Sequence, residues 1–454
     1  MNTFIKIYEN QRYQFLMLVS IFGYALFSIP FDSLGSIFRA IFLIGTLGIF
    51  FVHKDKIYKD PMIILLALTI LSSIASWING LLVVQQYTKP FPEIDKLARL
   101  FIFIPMAYWL KGKPKLIITL FIMFMAGFIL GAIIKSPFIN EFMTGINGSR
   151  VDFNIKNAQY TSMFSGICLL FSLFMTSLTI KIRNKKNRYL SCLFLVFFLV
   201  SSLFFFTMTM ISQSRMVFLG VLVVIALFPI IFKISFSNSG YRKLIYLYFA
   251  TFIVIIILGY FTLPLLENRI DSGEITAVVS ALKLDFNDIP MSSAGIRINS
   301  WIEAFHWISL HPIFGIGDRG SAIVIITSKM FAERINEAYS TIIGLRHLHS
   351  FHMDTLVCYG IFGFLVLNGV YLVMLRSLIR IRNSITNASY WIMLAICVVV
   401  YWFTINGFES FNFRTYGVLT HNVFMAGLYS FALTHRLFPT LSDETNNENS
   451  GSCQ

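Results

Sequence analysis

Residues 344 to 354, GLRHLHSFHMD, gather three of the chain's eight histidines: His347, His349 and His352. A histidine has a pKa near neutral and can take a proton from a hydroxyl group within hydrogen-bond reach, so one is enough for general base catalysis. A zinc site needs histidines that converge, whereas offsets of two and five residues on a helix point about 200° and 140° away from the first side chain. The segment therefore favours a general base. We predict no metal ion and no other cofactor, and the role of His352 stays open.

Four arginines stand beside apolar segments, where a charge is costly unless it snorkels to water or meets an anion. They are Arg39, Arg150, Arg215 and Arg297. Arg297 opens a predicted helix, where the helix dipole disfavours a cation unless an anion binds beside it. Because guanidinium groups pair with phosphate oxygens through two hydrogen bonds, the set predicts a phosphate or diphosphate ligand. Snorkelling is the alternative for Arg39 and Arg215, and a solvated loop charge is the alternative for Arg150.

The composition around these residues is that of a membrane protein. Of the 454 residues, 56% are hydrophobic and 13% charged, and the mean hydropathy of +0.73 exceeds that of soluble domains. We predict an all-α polytopic membrane protein with about twelve transmembrane helices, because that many apolar runs approach the length of ~17–25 residues that crosses a bilayer. The predicted spans are 13–31, 34–52, 61–79, 96–110, 115–135, 158–180, 189–211, 215–232, 244–265, 354–375, 390–407 and 416–437.

Lysine and arginine gather in alternate short loops, such as HKDKIYKD, KGKPK and KIRNKKNR. The positive-inside rule assigns these loops to the cytoplasm, so both termini are predicted to be cytoplasmic. The net charge of +14 follows from this topology, and nucleic-acid binding is not expected. The first apolar segment has no small-residue cleavage site and is predicted to be a spanning helix.

This topology divides the chain into four parts. Residues 1–265 hold transmembrane helices 1–9, residues 266–353 form one large outer loop, residues 354–437 hold helices 10–12, and residues 438–454 form a disordered cytoplasmic tail. In the loop, INSWIEAFHWISLHP predicts a helix lying on the outer leaflet. FGIGDRG then predicts a turn whose backbone amides can approach a ligand, and a further helix is predicted over about 321–339. The histidines follow, where water meets the outer leaflet.

Several of these segments resemble motifs of the bacterial O-antigen ligases, within the O-antigen ligase and polymerase superfamily. SQSRMVFLG carries Arg215 at the start of a span, and IRINSWIEAFHWISLHPIFGIG carries Arg297 ahead of a proline and a GxG. HLHSFHMDTLVCYGIFG is similar to the family's histidine pair and GxxG, with His347 and His349 as the pair and Ser350 in the place of the usual asparagine. Weaker likenesses in NGSRVDFNIKNAQY and INGFESFNF carry Arg150, Asn157 and Glu409.

The resemblance implies a GT-C-type glycosyltransferase fold in the bacterial inner membrane, with the active site and large loop facing the periplasm. The implied donor is O-antigen on undecaprenyl diphosphate, and the implied acceptor is the lipid A-core oligosaccharide. His349 would be the base and His347 its helper, while Arg215, Arg297 and Arg150 would bind the diphosphate. Additional candidate contacts are Arg39, Asn157, Arg319, Arg346 and Glu409. Metal-dependent enzymes of this fold class carry paired acids in the first outer loop, but IPFDSLGS offers a single one, so arginines are expected to replace the metal.

Three other activities remain alternatives at this point. Two belong to the same superfamily: an O-antigen polymerase and a protein O-glycan ligase. The third is a transporter of lipid-linked oligosaccharides. Because one large outer loop carries the dense chemistry and the two halves show no paired broken helices, the sequence favours an enzyme over a transporter. The sequence predicts no particular oligomeric state.

Overall fold

The computed structural model describes residues 2–182, 188–237, 240–267, 272–286, 289–334 and 344–438. These residues are mostly helical and contain no strand. The helices of the first half are α1 Asn2–Glu9, α2 Gln11–Phe27, α3 Asp32–Thr46, α4 Ile49–Val52, α5 Lys54–Ile57, α6 Pro61–Val83, α7 Asp95–Ala98, α8 Phe103–Leu110, α9 Pro114–Lys135, α10 Phe138–Ile146, α11 Ala158–Ile182 and α12 Arg188–Ser212. Those of the second half are α13 Arg215–Ser235, α14 Tyr241–Glu267, α15 Ser272–Leu282, α16 Ser293–Leu310, α17 Gly320–Thr327, α18 Lys329–Glu333, α19 Phe351–Arg380, α20 Ala388–Asn406 and α21 Thr415–Leu437.

Within the described part of the chain, eight helical segments are long and apolar enough to cross a membrane. They are Asp32–Val52, Pro61–Val83, Pro114–Lys135, Ala158–Ile182, Arg188–Ser212, Arg215–Ser235, Phe351–Arg380 and Ala388–Asn406. Helices also occupy the other four predicted intervals, as α2, α14, α21 and a run from α7 to α8 that is broken by a 3-10 turn. The all-helical prediction is confirmed, while twelve crossings and the GT-C fold stay predictions.

Helices α11 and α21 are buried along most of their length. Small and hydroxyl-bearing residues let their neighbours approach closely, as is usual between helices in a membrane. Where α12 packs against α11, the Ser212 hydroxyl lies 2.9 Å from that of Ser162 and the Thr209 hydroxyl 2.9 Å from that of Ser165. The two buried helices thereby fix the positions of the candidate site residues at their N-terminal ends.

The large loop differs in detail from its prediction. The helix expected in INSWIEAFHWISLHP is α16, capped by the Ser292 hydroxyl. The indole N–H of Trp301 on α16 donates to the Leu348 carbonyl at 2.8 Å, so this tryptophan anchors the histidine segment to α16. The helix predicted over 321–339 is instead split into α17 and α18, because Ser328 ends one and caps the other. The rest of that interval lies outside the described residues, as does the predicted tail from 439 onward.

The glycine turn in FGIGDRG packs against a helix, and the amides of Gly315, Ile316, Gly317 and Gly320 bond to protein carbonyls and are not left for a ligand as expected. Helix α19 breaks at Gly360, whose φ is 64°. The break leaves the carbonyls of Val357 and Cys358 without helical partners, and they accept the N–H groups of Ile316 at 2.9 Å and Gly317 at 3.1 Å. Only glycine adopts such angles without strain. The turn therefore completes the hydrogen bonding of a broken helix, and this explains the GxG and GxxG pattern.

Candidate active site

Glu409 joins the two histidines of the sequence prediction. Nε2 of His347 lies 3.2 Å from its Oε1, and Nδ1 of His349 lies 3.2 Å from its Oε2. The imidazole centroids are 4.2 Å apart. Glu409 is 4% exposed and follows α20, so the loop between α20 and α21 completes a cluster begun by the loop before α19. We call His347, His349 and Glu409 the His–Glu cluster.

The histidines converge because their segment is a loop rather than a helix. His349 has a φ of 51°, a left-handed conformation that costs roughly 1–2 kcal/mol for a residue with a Cβ. Ser350 then caps α19 by accepting a backbone N–H at 3.3 Å. Asp354 accepts the Leu348 N–H at 2.9 Å and the hydroxyl of Ser410. Since Ser410 adjoins Glu409, Asp354 ties the histidine loop to the loop that supplies the carboxylate.

The hydrogen-bond network assigns the protons of the histidines. Nη2 of Arg414 lies 3.0 Å from Nδ1 of His347, and because a guanidinium only donates, this nitrogen must accept. The His347 proton is then on Nε2, where it is donated to Glu409, and both ring nitrogens are occupied. The carboxylate likewise requires a proton on Nδ1 of His349. Nε2 of His349 has no hydrogen bond to any described residue, which leaves its lone pair available as a base.

Glu409 is held in its charged form. Burial acts to raise the pKa of its carboxyl group, but the hydrogen bonds from His347 and His349 outweigh burial and hold the pKa well below the usual value. A buried carboxylate that accepts an imidazole N–H fixes the ring's orientation and stabilises the imidazolium that forms after proton uptake. Glu409 is thus suited to support His349 as a base.

Arg297 reaches the cluster through Gln159, a residue in the first turn of α11. With its amide oriented to satisfy both neighbours, Gln159 donates to Oε2 of Glu409 at 2.8 Å and accepts from Nη2 of Arg297 at 3.3 Å. Burial lowers the pKa of Arg297, while the charge of Glu409 raises it. The predicted phosphate-binding arginine therefore stands on the His349 side of the carboxylate.

Arg215 pairs with Glu274 of α15. One hydrogen bond, from Nη2 to Oε1, measures 2.9 Å, and a second joins Nη1 to Oε2. This fork is the geometry with which arginine binds phosphate, so the carboxylate occupies the contact expected for a diphosphate. Arg215 and Glu274 are also close enough to Arg297 for their charges to affect its pKa. Arg215 and Arg297 thus belong to one region.

The structure separates other predicted residues from the cluster. Nε of Arg150 lies 3.4 Å from the Ser212 carbonyl, near the α12–α13 turn. The Asn157 side chain accepts the N–H groups of the second and third residues of α11, which makes it a helix cap. Arg39 on α3 interacts electrostatically with Arg99. No hydrogen bond links these three candidates to the cluster within the described residues.

Arg319 and Arg346 line a cavity of about 410 Å³ that His347 also borders. Both arginines are exposed. Because they share this cavity with His347, the two predicted candidates lie near the cluster, on its His347 side. His352, whose role was open, takes a structural position. Its Nε2 lies 3.0 Å from the Phe403 carbonyl, and its ring packs 4.2 Å from that of Phe403. It thereby joins the start of α19 to the end of α20.

The His–Glu cluster has a spacing that could suit a metal ion, since its ligand atoms all lie within 4.8 Å of one another. The helical-spacing argument against a metal does not apply to a loop. The positive charges around the cluster give a different argument against a metal ion. Metal-bound histidines normally donate their second nitrogen to an acceptor, but that of His347 faces the Arg414 guanidinium. Arg297 and Lys156 add positive charge near Glu409. The absence of a functional metal stays a prediction.

Comparison with known protein families gives a match over part of the chain. The family described as O-antigen ligase matches residues 200–368, a segment that includes Arg215, Arg297, His347 and His349. The match covers less than half of the chain, and over that segment the chain is similar to the O-antigen ligases. No curated protein matches it. The family implies a membrane enzyme of the glycan ligase or polymerase type.

Three residues of the candidate site are not predicted from the sequence. Arg414 and Gln159 each begin a buried helix on the predicted outer side, a location that could have flagged them as polar residues near the site. Glu274 carries no comparable signal, because an acid in a large polar loop is ordinary. Glu409 was named only as a weak likeness, although the structure makes it the centre of the cluster.

Proposed function

We propose that the protein is an O-antigen ligase. It transfers O-antigen polysaccharide from undecaprenyl diphosphate to the lipid A-core oligosaccharide, at the periplasmic face of the inner membrane and without a metal ion. The observation that carries the proposal is the state of His349: one nitrogen is fixed by Glu409, the other has a free lone pair, and Arg297 is one side chain away. A base beside cations suits attack by a hydroxyl group on a diphosphate-linked sugar.

In the proposed mechanism, Nε2 of His349 accepts the proton of the acceptor hydroxyl as its oxygen bonds to the anomeric carbon. The bond from that carbon to the diphosphate oxygen breaks, and the leaving lipid diphosphate keeps the electron pair. Arg297 and Arg215 stabilise the charge of the leaving group. A single displacement inverts the configuration at the anomeric carbon. His347 accepts a hydrogen bond from Arg414 and donates one to Glu409, and thereby holds the carboxylate in place.

An apolar groove supports a lipid-linked donor. It has a volume of about 310 Å³, lies between α12, α13 and α14, and includes Arg215 in its lining. Its other residues include Phe206, Met210, Phe218 and Leu222. A polyprenyl chain would bury its hydrocarbon there with its charged end near Arg215. The shift of Arg215 from Glu274 to the diphosphate would accompany donor binding.

Deletion of the gene in its host tests the proposal. Loss of a ligase leaves bare lipid A-core and polymer stranded on its lipid carrier, both visible in lipopolysaccharide and carrier-lipid profiles. Loss of a polymerase leaves core bearing a single repeat, and loss of a protein O-glycan ligase leaves the lipopolysaccharide ladder unchanged while glycoproteins disappear. A transporter defect would strand the glycan on the cytoplasmic side. Any of the last three outcomes would replace the ligase proposal.

A further inference from the structure

We propose that the cavity beside His347 binds the acceptor through an anionic group on its sugars. The cavity measures about 410 Å³ and lies between the segment after α6, the start of α17 and the two loops of the His–Glu cluster. That volume is within the ~300–1,000 Å³ typical of small-molecule sites. The inference rests on the proposed glycosyl transfer and assigns a second substrate to a second site.

The charge of the cavity points to an anion. Its lining has five cationic side chains and three carboxylates. The carboxylates are already engaged: Glu93 and Asp318 pair with Lys89, and Asp354 accepts two hydrogen bonds from the site loops. The cations therefore exceed the acids, and the excess is concentrated in the arginines.

Two of those arginines are available to a ligand. Arg319 and Arg346 are exposed and make no ion pair or side-chain hydrogen bond with the rest of the described chain. A third, Arg414, uses Nη2 to hold His347 and retains other N–H groups. Guanidinium groups bind phosphates and carboxylates in the same forked manner. The recognised chemistry is thus an acidic saccharide, bearing either a phosphate or a carboxylate.

The position relative to Glu409 assigns this anion to the acceptor. Oε2 of the carboxylate faces His349 and Gln159, and Gln159 bonds to Arg297. Arg297 in turn lies within electrostatic range of Arg215, which lines the donor groove. Oε1 faces His347, which borders the cavity. The two substrates would thus approach the base from opposite sides of one carboxylate. The imidazole centroids of His347 and His349 are 4.2 Å apart. A sugar bound beside His347 could therefore bring a hydroxyl group close to His349.

The test measures how tightly a deacylated core oligosaccharide that keeps its phosphates binds to the full-length protein in nanodiscs, in the absence of donor. Affinities are compared between oligosaccharide preparations and between protein variants. Two portions of the same oligosaccharide are used in parallel, one treated with phosphatase and one with reduced carboxyl groups. The Arg319→Gln/Arg346→Gln variant removes the two available cations. The control variant, Lys283→Gln/Lys329→Gln, removes two exposed charges from the same region outside the cavity.

We expect the double arginine variant to bind the untreated oligosaccharide at least about tenfold more weakly than the wild type, and the lysine control to bind it normally. The treatment that weakens binding to the wild type identifies the anion as phosphate or carboxylate. In transfer assays, the arginine variant should raise KM for the acceptor and leave KM for the donor unchanged.

Equal affinity of wild type and arginine variant for the untreated oligosaccharide would overturn the inference, as would wild-type binding that survives both treatments. Failure of the wild type to transfer glycan, with arginine-dependent binding intact, would instead reject the ligase activity and leave the anion site standing.

Discussion

Nδ1 of His349 lies 3.2 Å from Oε2 of Glu409, although 60 residues separate them along the chain. This contact places the His349 proton on Nδ1 and leaves the lone pair on Nε2, whereas Arg414 donates to the lone pair of His347. It also makes the roles of the two histidines experimentally separable.

The first prediction distinguishes the base from its helper. His349→Ala should lower kcat by about 10²–10⁴-fold, the usual contribution of a general base. His347→Gln should cost no more than about tenfold, because a glutamine amide can accept from Arg414 and donate to Glu409 as the imidazole does. Single-turnover transfer assays measure both, with exposed His306→Gln as the control. Comparable losses in the two variants would contradict the assignment of His349 as the base.

The second prediction concerns pH and stability. Because the pKa of Glu409 is lowered on folding, its charged form contributes stability that is fully present above its ordinary pKa of 4.5 and is lost as the pH falls below that value. The difference in Tm between wild type and Glu409→Gln should therefore shrink as the pH falls below about 4.5. The exposed Glu333→Gln substitution should show no such trend. A difference that grew on acidification would mean that the pKa shift has the opposite sign.

The third prediction tests competition at Arg215. Arg215→Ala should lower kcat/KM for the donor about 10- to 100-fold, as expected for one charge-assisted contact. Glu274→Gln should lower KM for the donor, because it removes the carboxylate that occupies the guanidinium. Steady-state kinetics with varied donor measure both effects, and Glu303→Gln on α16 serves as the matched control. If Glu274→Gln raised donor KM as strongly as Arg215→Ala, the carboxylate would be positioning Arg215 rather than competing for it.

The fourth prediction concerns metal. Transfer activity should survive EDTA and should not rise on addition of Mg²⁺ or Mn²⁺, because arginines near the His–Glu cluster supply the positive charge that a divalent ion would bring. Activity abolished by EDTA and restored by either ion would show that the cluster, despite the guanidinium beside His347, binds metal.

The fifth prediction tests the break in α19. A Cβ at Gly360 would overlap the Ile313 carbonyl, so Gly360→Ala should cost at least about 1–3 kcal/mol of stability, seen as a lower Tm, and should reduce activity by shifting the histidine loop. Gly369→Ala, in the same helix, meets only a side-chain atom of Leu65 at 3.6 Å and should be neutral or slightly stabilising. Equal effects would show that the break itself does not matter.

The sequence by itself predicted the helical architecture with its apolar spans, the likeness to the O-antigen ligases that the family match supports, and four residues of the candidate site. Apolar length gives the helices directly, because a bilayer demands uninterrupted hydrogen bonding over a fixed thickness. Arg215, Arg297, His347 and His349 were found because charged or basic groups are conspicuous in an apolar chain. Loop conformation is not predictable in the same way. Helical spacing predicts that the histidine side chains diverge, whereas the loop that carries them brings both to Glu409.

Only the tertiary structure decided which partners these residues contact. It places Glu409 at the centre of the cluster, and it pairs His347 with Arg414 and Arg215 with Glu274. It also packs the glycine motif, which was expected to contact a ligand, against the break in α19. Each of these facts depends on contacts between residues 41 to 67 positions apart along the chain. A hydrogen bond specifies the tautomer and the charge of its partners, and sequence spacing carries no information about such contacts once the chain leaves regular secondary structure.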